Sequence, residues 1–175
     1  MTGGSPVKDF YKNKNIFITG ATGFLGIGLV EKLLRSCDVG TIYLLMRPKK
    51  GKEIQARLEE LTKNLVRIKI ISKKNLFGRK IKICKYYVFQ VFEKLRETAG
   101  DAPFKKLVAV AGDVGEDNLG LSPKDRETLI NNVHIVFHSA ATLDFEAGLK
   151  PTVKINLLGT RRIVQLASEL RNIQV

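Results

Sequence analysis

The sequence predicts an α/β fold, a doubly wound parallel sheet with helices packed against both of its faces. Short apolar strands alternate with helical segments along most of the 175 residues, the pattern of repeated β–α units. The strands are apolar throughout, which is typical of parallel strands buried on both sides. The first strand runs directly into a glycine-rich turn and a helix, as in a Rossmann-like sheet. We expect the sheet to be truncated after about four strands.

The first half of the chain contains two of these strands with their helices. Apolar runs at 15–19 and 41–46 predict the first and second strands. After the glycine-rich turn, leucine and valine recur at helical spacing as far as about residue 35. Helix-favouring residues predict a further helix over 52–64.

The second half continues the alternation. Apolar runs at 107–111 and 133–138 predict the third and fourth strands. Between them, Ser122-Pro-Lys-Asp125 predicts a helix start, with a serine N-cap, proline at the first helical position and an acid at the third. A long helix is predicted over 149–170, and residues 173–175 are typical of the start of a fifth strand.

The composition, 44% apolar and 27% charged, is that of an ordinary globular domain. No apolar run of about 18 residues exists to cross a membrane, and the N-terminal residues contain no apolar stretch typical of a secretory signal. We therefore expect a cytoplasmic chain. Two cysteines, Cys37 and Cys84, are too few for a disulfide framework or a zinc site, so no metal is expected.

The net charge of +13 is typical of proteins that bind nucleic acid or anionic membranes. Its distribution argues against that interpretation. The segment 66–90 carries eight of the 30 basic residues and no acidic ones, which leaves 22 basic against 17 acidic residues elsewhere, a net charge of +5. We expect no nucleic-acid partner, and the segment needs an explanation of its own.

The glycine-rich turn has the spacing G-x-x-G-x-x-G. Glycines let a backbone turn sharply and approach a pyrophosphate, whose charge is met by the N-terminus of the following helix. The alternative is a tight strand–helix connection without a ligand. The turn predicts these cofactor-binding residues: Thr19, Gly20, Thr22, Gly23, Phe24, Leu25 and Gly26.

Arg47 indicates which dinucleotide is bound. It lies about 20 residues past the turn, at the end of the second strand, where an NAD enzyme has an acidic residue for the ribose 2′-hydroxyl. An arginine suits a 2′-phosphate instead, and Lys49, Lys50 and Lys52 follow it. The sequence therefore favours NADPH over NADH, with a solvated basic loop as the alternative.

Two further stretches follow strands at the same edge of the sheet, where such folds bind ligands. Asp113 and Val114 follow the third strand, and the Asp113 carboxylate could accept a hydrogen bond from the adenine amino group or cap its own turn. Ser139, Ala140 and Ala141 follow the fourth strand, and their small side chains suit either a nicotinamide passing close by or strand–helix packing.

Asn156 lies at the edge of the apolar stripe of the predicted long helix. A polar amide near a buried face requires hydrogen-bond partners, so we predict a supporting catalytic role for it, with a structural role as the alternative.

The motifs together resemble a known family. The stretches that carry the resemblance are T-G-A-T-G-F-L-G, L-L-M-R-P-K-K-G-K, G-D-V, H-S-A-A-T-L-D-F and K-I-N-L-L-G-T-R-R-I-V-Q-L-A. The chain is similar to the N-terminal, NADP-binding part of alcohol-forming fatty acyl-CoA reductases of the insect type, which are extended short-chain dehydrogenase/reductases. Residues 1–175 would then be a partial NAD(P)-binding domain.

The resemblance implies an activity and a location. Such enzymes reduce a long-chain fatty acyl-CoA to the primary alcohol with NADPH, using a Tyr-x-x-x-Lys pair. The resemblance places that pair beyond the helix with Asn156, after the last residue of this sequence. It also implies a C-terminal region that associates with peroxisomal or endoplasmic-reticulum membranes. The alternatives are another extended reductase, acting on a carrier-bound thioester or a sugar nucleotide, and a non-catalytic dinucleotide-binding or basic interaction module.

The basic segment 66–90 interrupts the resemblance. Joining Leu65 to Val91 gives T-K-N-L-V-F-E-K-L-R-E, which is similar to uninterrupted family sequence. The segment is rich in residues with A/T-rich codons, begins with valine (codons GT-) and ends with glutamine (codon CAG). We predict a retained intron read in frame. The alternative is a genuine β-hairpin, which could contact nucleic acid or anionic lipid.

We expect this chain by itself to show no acyl-CoA reduction. A tyrosine that protonates the developing alkoxide contributes about 10²–10⁴-fold in rate. No tyrosine here has a lysine four positions on, since Tyr11, Tyr43, Tyr86 and Tyr87 are followed at that distance by other residues. The measurement is single-turnover NADPH oxidation with a long-chain acyl-CoA at enzyme excess. Clear formation of aldehyde or alcohol would contradict the expectation and would require a different proton donor.

Overall fold

The computed structural model describes residues 5–48, 53–63, 66–76, 79–89, 91–144, 146 and 148–174, with the backbone alone for 66–76 and 79–89. Within these ranges, no helix combines the length and the apolarity needed to cross a bilayer. The strands are β1 (Ile16–Thr19), β2 (Ile42–Met46), β3 (Val66–Leu76), β4 (Arg79–Phe89), β5 (Leu107–Ala111) and β6 (Ile135–His138).

Helices connect these strands. They are α1 (Pro6–Tyr11), α2 (Phe24–Ser36), α3 (Ile54–Lys63), α4 (Glu93–Ala99), α5 (Pro123–Asn132), α6 (Leu149–Thr152) and α7 (Leu158–Glu169), with short 3₁₀ segments at Ala102–Lys106 and Asp117–Gly120 and a π-helical turn at Val153–Leu157.

The four apolar strands form one parallel sheet in the order β5-β2-β1-β6. The chain moves outwards from β1 to β2 and β5, then returns to the other side of β1 for β6. This is the strand order of a Rossmann-like sheet, so the predicted fold class is confirmed. The strand order reverses between β1 and β6, and folds of this type bind ligands beside such a reversal.

Helices cover both faces of the sheet. Alternate strand residues point to opposite faces, so the side chains of β1 lie in two different buried clusters. Ile16 and Ile18 of β1 lie in a buried cluster with residues of α2, α3 and α4. Phe17, between them, lies in a second cluster with residues of α5 and α7. All three side chains are fully buried, which explains why successive residues of β1 are apolar at these positions.

The start of α5 forms as the sequence predicts. Ser122 is the N-cap, and its Oγ accepts a hydrogen bond from the Asp125 N–H at 3.0 Å and donates one to Asp125 Oδ2 at 2.7 Å. Pro123 occupies the first helical position. The fourth predicted strand, β6, begins two residues later than predicted, and ahead of it the His134 N–H donates a hydrogen bond to the Asn15 carbonyl at 2.9 Å.

The long helix predicted over 149–170 forms from Leu149 to Glu169, but it contains a π-helical turn that was not predicted. The structure has α6, then the π-helical turn, then α7. Within this turn, the side chain of Asn156 is hydrogen-bonded to the backbone of Thr142. A helical pattern does not reveal such a turn, because the insertion depends on contacts with another segment.

The chain after α7 runs beside β6. The Gln174 N–H donates a hydrogen bond to the His134 carbonyl at 2.8 Å, next to the start of β6. No strand forms among the described residues at this point, and residue 175 lies outside them. The fifth strand stays a prediction.

Strands β3 and β4 pair with each other, antiparallel, and form a sheet of their own. Val66 pairs with Phe89 at one end and Leu76 with Arg79 at the other. The alternating sequence leads to strand pairing whatever its origin, so the retained-intron hypothesis stays a prediction.

The two ends of the basic segment are held together independently of the hairpin. The Arg96 guanidinium, on α4, donates a hydrogen bond to the Thr62 carbonyl, on α3, at 3.1 Å. Leu58 of α3 and Leu95 of α4 are both buried in the same cluster as β1 and β2. The helices on either side of the segment therefore share one core.

We expect deletion of 66–90 to raise both the soluble yield and the melting temperature. Residues 63–65 and 91–95 would still span the Thr62–Arg96 contact, and the shorter connection reduces the closure entropy by about 1 kcal/mol, worth about 2–4 °C in Tm. Removing 13 apolar residues also removes strand edges that favour aggregation. The measurement is thermal unfolding of both chains. A variant carrying a Gly/Ser linker of equal length separates apolar content from length, and failure of the deletion variant to fold would show the hairpin to be integral.

Candidate cofactor-binding site

A cleft opens at the carboxyl edge of the sheet, where the strand order reverses between β1 and β6. Its cavity measures about 480 Å³, within the range of small-molecule sites. Its walls come from the ends of the four strands, from α3 and from the π-helical turn. The predicted cofactor-binding residues that line it are Gly20, Thr22, Gly23, Arg47, Asp113, Val114, Ser139, Ala140 and Ala141.

The turn after β1 brings two glycines against neighbouring backbone. Gly20 has φ +73°, in the left-handed region that favours glycine. A Cβ at Gly20 would lie 2.6 Å from the Ala140 nitrogen and 2.6 Å from the Ser139 carbonyl carbon. Gly26 lies against the Gly20 carbonyl, and a Cβ there would overlap the carbonyl oxygen. Both positions therefore require glycine.

Helix α2 begins at the cleft. Gly23 is its N-cap and lines the cleft, and no side-chain hydrogen bond caps the helix there. The N–H groups of the first helical turn have no partner within the helix, so they can bind an anion with help from the helix dipole. Phe24 and Leu25, predicted to bind the cofactor, have side chains 69% and 74% exposed and outside the lining, so their contribution would come from the backbone.

Thr19 is fully buried and does not line the cleft. Its Oγ1 lies 2.6 Å from Nδ1 of His138. Its carbonyl accepts hydrogen bonds from the Ser139 N–H at 3.2 Å and from the Ser139 Oγ at 2.8 Å. Thr19 therefore connects the ends of β1 and β6 beneath the cleft, although the sequence predicts a cofactor contact for it.

Two arginines line the cleft beyond the end of β2. Arg47 follows β2 directly, and Arg57 lies on α3. The Arg57 guanidinium donates a hydrogen bond to the Arg47 carbonyl, which holds α3 against the end of the strand. This part of the cleft is therefore positively charged. Lys49, Lys50 and Lys52, which the sequence groups with Arg47, lie outside the described residues.

Asp113 both caps its own turn and lines the cleft. The Gly115 N–H donates a hydrogen bond to Asp113 Oδ1 at 2.8 Å, and the Asp113 N–H donates one to the Leu119 carbonyl at 2.8 Å. Val114 is buried, and it lies so close to Gly159 of α7 that a Cβ there would be 3.3 Å from it. The capping of its own turn therefore does not exclude the adenine contact that was considered for Asp113.

Asn156 supports the cleft from behind. Its Oδ1 accepts a hydrogen bond from the Thr142 N–H at 2.9 Å, and its Nδ2 donates one to the Thr142 carbonyl at 3.2 Å. Thr142 and Ile155 line the cleft, whereas Asn156 does not. The amide therefore fixes the loop after β6, which is the structural alternative that the sequence left open.

Two ion pairs attach the loop after β5 to the same helical segment. Lys154 Nζ lies 2.9 Å from a Glu116 carboxylate oxygen, and Arg162 lies 2.9 Å from Asp117. These carboxylates are exposed, so each pair contributes little stability. Their effect is to fix the position of the loop that carries Asp113.

Sequence reasoning missed part of the lining. Arg57 lies within a helix whose pattern indicates only an apolar stripe, so no spacing rule identifies it. Within the described ranges, no three His, Cys, Asp or Glu side chains cluster as metal ligands. The lining residues that were not predicted are Leu45, Met46, Arg57, Gly112, Thr142, Leu143 and Ile155.

Comparison with known proteins identifies the type of site. Residues 18–175 match the NAD-binding family described as Male sterility protein. The chain belongs to this family. A nicotinamide dinucleotide is therefore its type of cofactor.

The relatives that the chain matches are named as reductases. The chain is 51% identical to a Drosophila melanogaster protein provisionally named as a fatty acyl-CoA reductase, 40% identical to the Drosophila fatty acyl-CoA reductase wat and 35% identical to human fatty acyl-CoA reductase 1. Each comparison covers 97% of this chain but 28% of the relative. The resemblance recognised in the sequence is confirmed, and the chain spans about a quarter of the length of these relatives.

Solved structures agree with the fold of the male sterility protein family. The terminal R domain of the myxalamid PKS-NRPS pathway superposes with a TM-score of 0.64 at 27% identity, covering 99% of this chain and 34% of that one. The reductase domain of a non-ribosomal peptide synthetase from Mycobacterium tuberculosis gives 0.60 at 27% identity, covering 93% and 31%.

Two glycines of α2 provide a matched test of the cleft geometry. We expect Gly26→Ala to destabilise the protein by about 3 kcal/mol or more and to abolish dinucleotide binding, because the new Cβ overlaps the Gly20 carbonyl oxygen. Gly28→Ala in the same helix meets no heavy atom within 4 Å and should stabilise it by about 0.5–1 kcal/mol. Chemical denaturation and cofactor titration measure both effects, and equal behaviour of the two variants would contradict the geometry.

Proposed function

We propose that this chain binds NADPH in the cleft and forms the cofactor-binding part of a reductase that converts a long-chain fatty acyl-CoA to a primary alcohol. The observation that carries the cofactor proposal is the pair Arg47 and Arg57 at the end of β2. The substrate proposal is supported by the names of the relatives, which are fatty acyl-CoA reductases.

The residues present fit a dinucleotide. The cleft has the volume of a ligand site, and its floor is a turn in which Gly20 and Gly26 leave room for close backbone approach. The uncapped first turn of α2 would hold the pyrophosphate through its N–H groups. NADPH supplies the hydride when bound, and the protein supplies position and charge.

Arg47 and Arg57 would hold the 2′-phosphate that distinguishes NADPH from NADH. A guanidinium binds phosphate through paired N–H groups and remains charged at every physiological pH. The hydrogen bond from Arg57 to the Arg47 carbonyl keeps the second arginine at the cleft. Asp113, on the neighbouring loop, lies where an adenine amino group could donate to its carboxylate.

The far side of the cleft would receive the nicotinamide. Ser139, Ala140 and Ala141 present small side chains there, and Thr142 is held by Asn156. The predicted supporting role of Asn156 is then to keep this loop in position, since its amide is already engaged with the Thr142 backbone.

A second substrate class has a specific observation in its favour. The R domains that superpose on this chain belong to polyketide and peptide synthetases, and both are 27% identical to it. A carrier-bound thioester is therefore the alternative substrate of the whole protein. Comparing acyl-CoA with acyl-carrier thioesters in a full-length version separates the two.

The cofactor proposal predicts a change of preference in Arg47→Asp. The unmutated chain should bind NADPH more tightly than NADH, and the aspartate should remove or reverse that preference because a carboxylate repels the 2′-phosphate. Arg57→Gln should weaken NADPH binding by about tenfold and leave NADH binding unchanged, since a hydrogen bond to a charged group contributes about 1.5–3 kcal/mol. Fluorescence titration with each cofactor measures these ratios.

Arg126→Gln is the control for loss of a positive charge. Arg126, on α5, is paired with Glu169 of α7 and does not line the cleft, so its replacement should leave the preference unchanged. Equal affinity of the unmutated chain for NADPH and NADH would remove the proposal.

A further inference from the structure

We propose that His138 is a positioning residue that connects the end of β1, which leads into the glycine-rich turn, to the π-helical turn with Asn156. Through this connection His138 sets the affinity of the cleft for NADPH, although it does not contact NADPH itself. The inference rests on the proposed cofactor function. His138 ends β6 and does not line the cleft, yet its two ring nitrogens contact side chains from two different elements.

The directions of these hydrogen bonds follow from the groups involved. Thr160 Oγ1 lies 2.7 Å from the Asn156 carbonyl, and a carbonyl can only accept, so the Thr160 hydroxyl donates to it. A hydroxyl has one hydrogen. Thr160 Oγ1 must therefore accept from His138 Nε2–H, at 3.1 Å.

The other ring nitrogen is then an acceptor. In a neutral imidazole with hydrogen on Nε2, Nδ1 carries the lone pair and accepts from the Thr19 hydroxyl at 2.6 Å. The Thr19 Oγ1 in turn accepts from the Ala140 N–H at 3.4 Å. One directed chain of hydrogen bonds thus runs from Ala140 to Asn156 and requires a single tautomer of His138.

Burial lowers the pKa of His138 and so favours the neutral ring, the form that these hydrogen bonds require. A proton on Nδ1 would face the oxygen of the fully buried Thr19 hydroxyl and break the bond that this hydroxyl donates.

The chain of hydrogen bonds closes around the loop that forms the far wall of the cleft. Thr19 holds the beginning of the loop through Ser139, and Asn156 holds its end through Thr142. His138 and Thr160 join those two supports from below. These contacts form a ring with His138 at its centre. The ring sets the position of the glycine-rich turn relative to the loop after β6.

Thr160 provides the test, because it is exposed, lies outside the cleft and tolerates a replacement of equal shape. Thr160→Val removes the hydroxyl that accepts from His138, and Thr160→Ser keeps it. We expect NADPH binding to weaken about tenfold in Thr160→Val and to remain near the unmutated value in Thr160→Ser.

The imidazole spectrum gives a readout that a change in helix stability alone would not move. Long-range ¹H–¹⁵N NMR of the full chain should show His138 as the Nε2–H tautomer in the unmutated and Thr160→Ser chains, and as a mixture in Thr160→Val. His134 is an internal control, since its Nδ1 accepts from the Asn15 backbone N–H at 3.1 Å and its tautomer should not change.

The outcomes separate the two proposals. If the unmutated chain does not bind NADPH, the proposed function and this inference both fail. If it binds and Thr160→Val binds equally well, or Thr160→Ser is as weak as Thr160→Val, the role of His138 alone is overturned. An Nδ1–H tautomer in the unmutated chain would overturn it as well.

Discussion

The close approach of two backbone segments at the reversal of strand order is the constraint on which the cleft depends. The turn after β1 passes so near the end of β6 that a Cβ at Gly20 would be 2.6 Å from the Ala140 nitrogen. This contact fixes where α2 begins, because the turn leads into its N-cap at Gly23. A bulkier residue at Gly20 would separate β1 from β6 and displace the helix N-terminus from the anion that it would bind.

The two ends of the cleft are held by different kinds of interaction. The side of the cleft formed by the loop after β6 depends on directed hydrogen bonds of partly buried groups, between Thr19 and His138 and between Asn156 and Thr142. The side at the end of β2 is lined by Arg47 and Arg57, and the neighbouring loop after β5 is attached through exposed ion pairs such as Lys154–Glu116. Buried networks position groups closely, whereas exposed ion pairs are screened by salt. Ionic strength should therefore act mainly on the side of the cleft with Arg47 and Arg57.

The strong positive charge of the chain lies largely outside the cleft. Much of it lies in 66–90, which pairs with itself and enters the chain between two helices, α3 and α4, that share one core. Among the described residues, neither the parallel sheet nor the lining of the cleft includes a residue of those strands. Positive charge at the cleft comes instead from Arg47 and Arg57, which would suit a phosphate.

The sequence by itself determined the fold class, the glycine turn, the position of Arg47 at the end of a strand and the cap of α5. These features depend on local patterns, such as an apolar run before a turn or a serine three residues before an acid. Tertiary structure decided the π-helical turn, the burial of Thr19, the place of Arg57 and the pairing of His138 with Thr160. Each of these depends on a contact between segments far apart in the chain, as Thr19 and His138 are, and no spacing within one segment records such a contact.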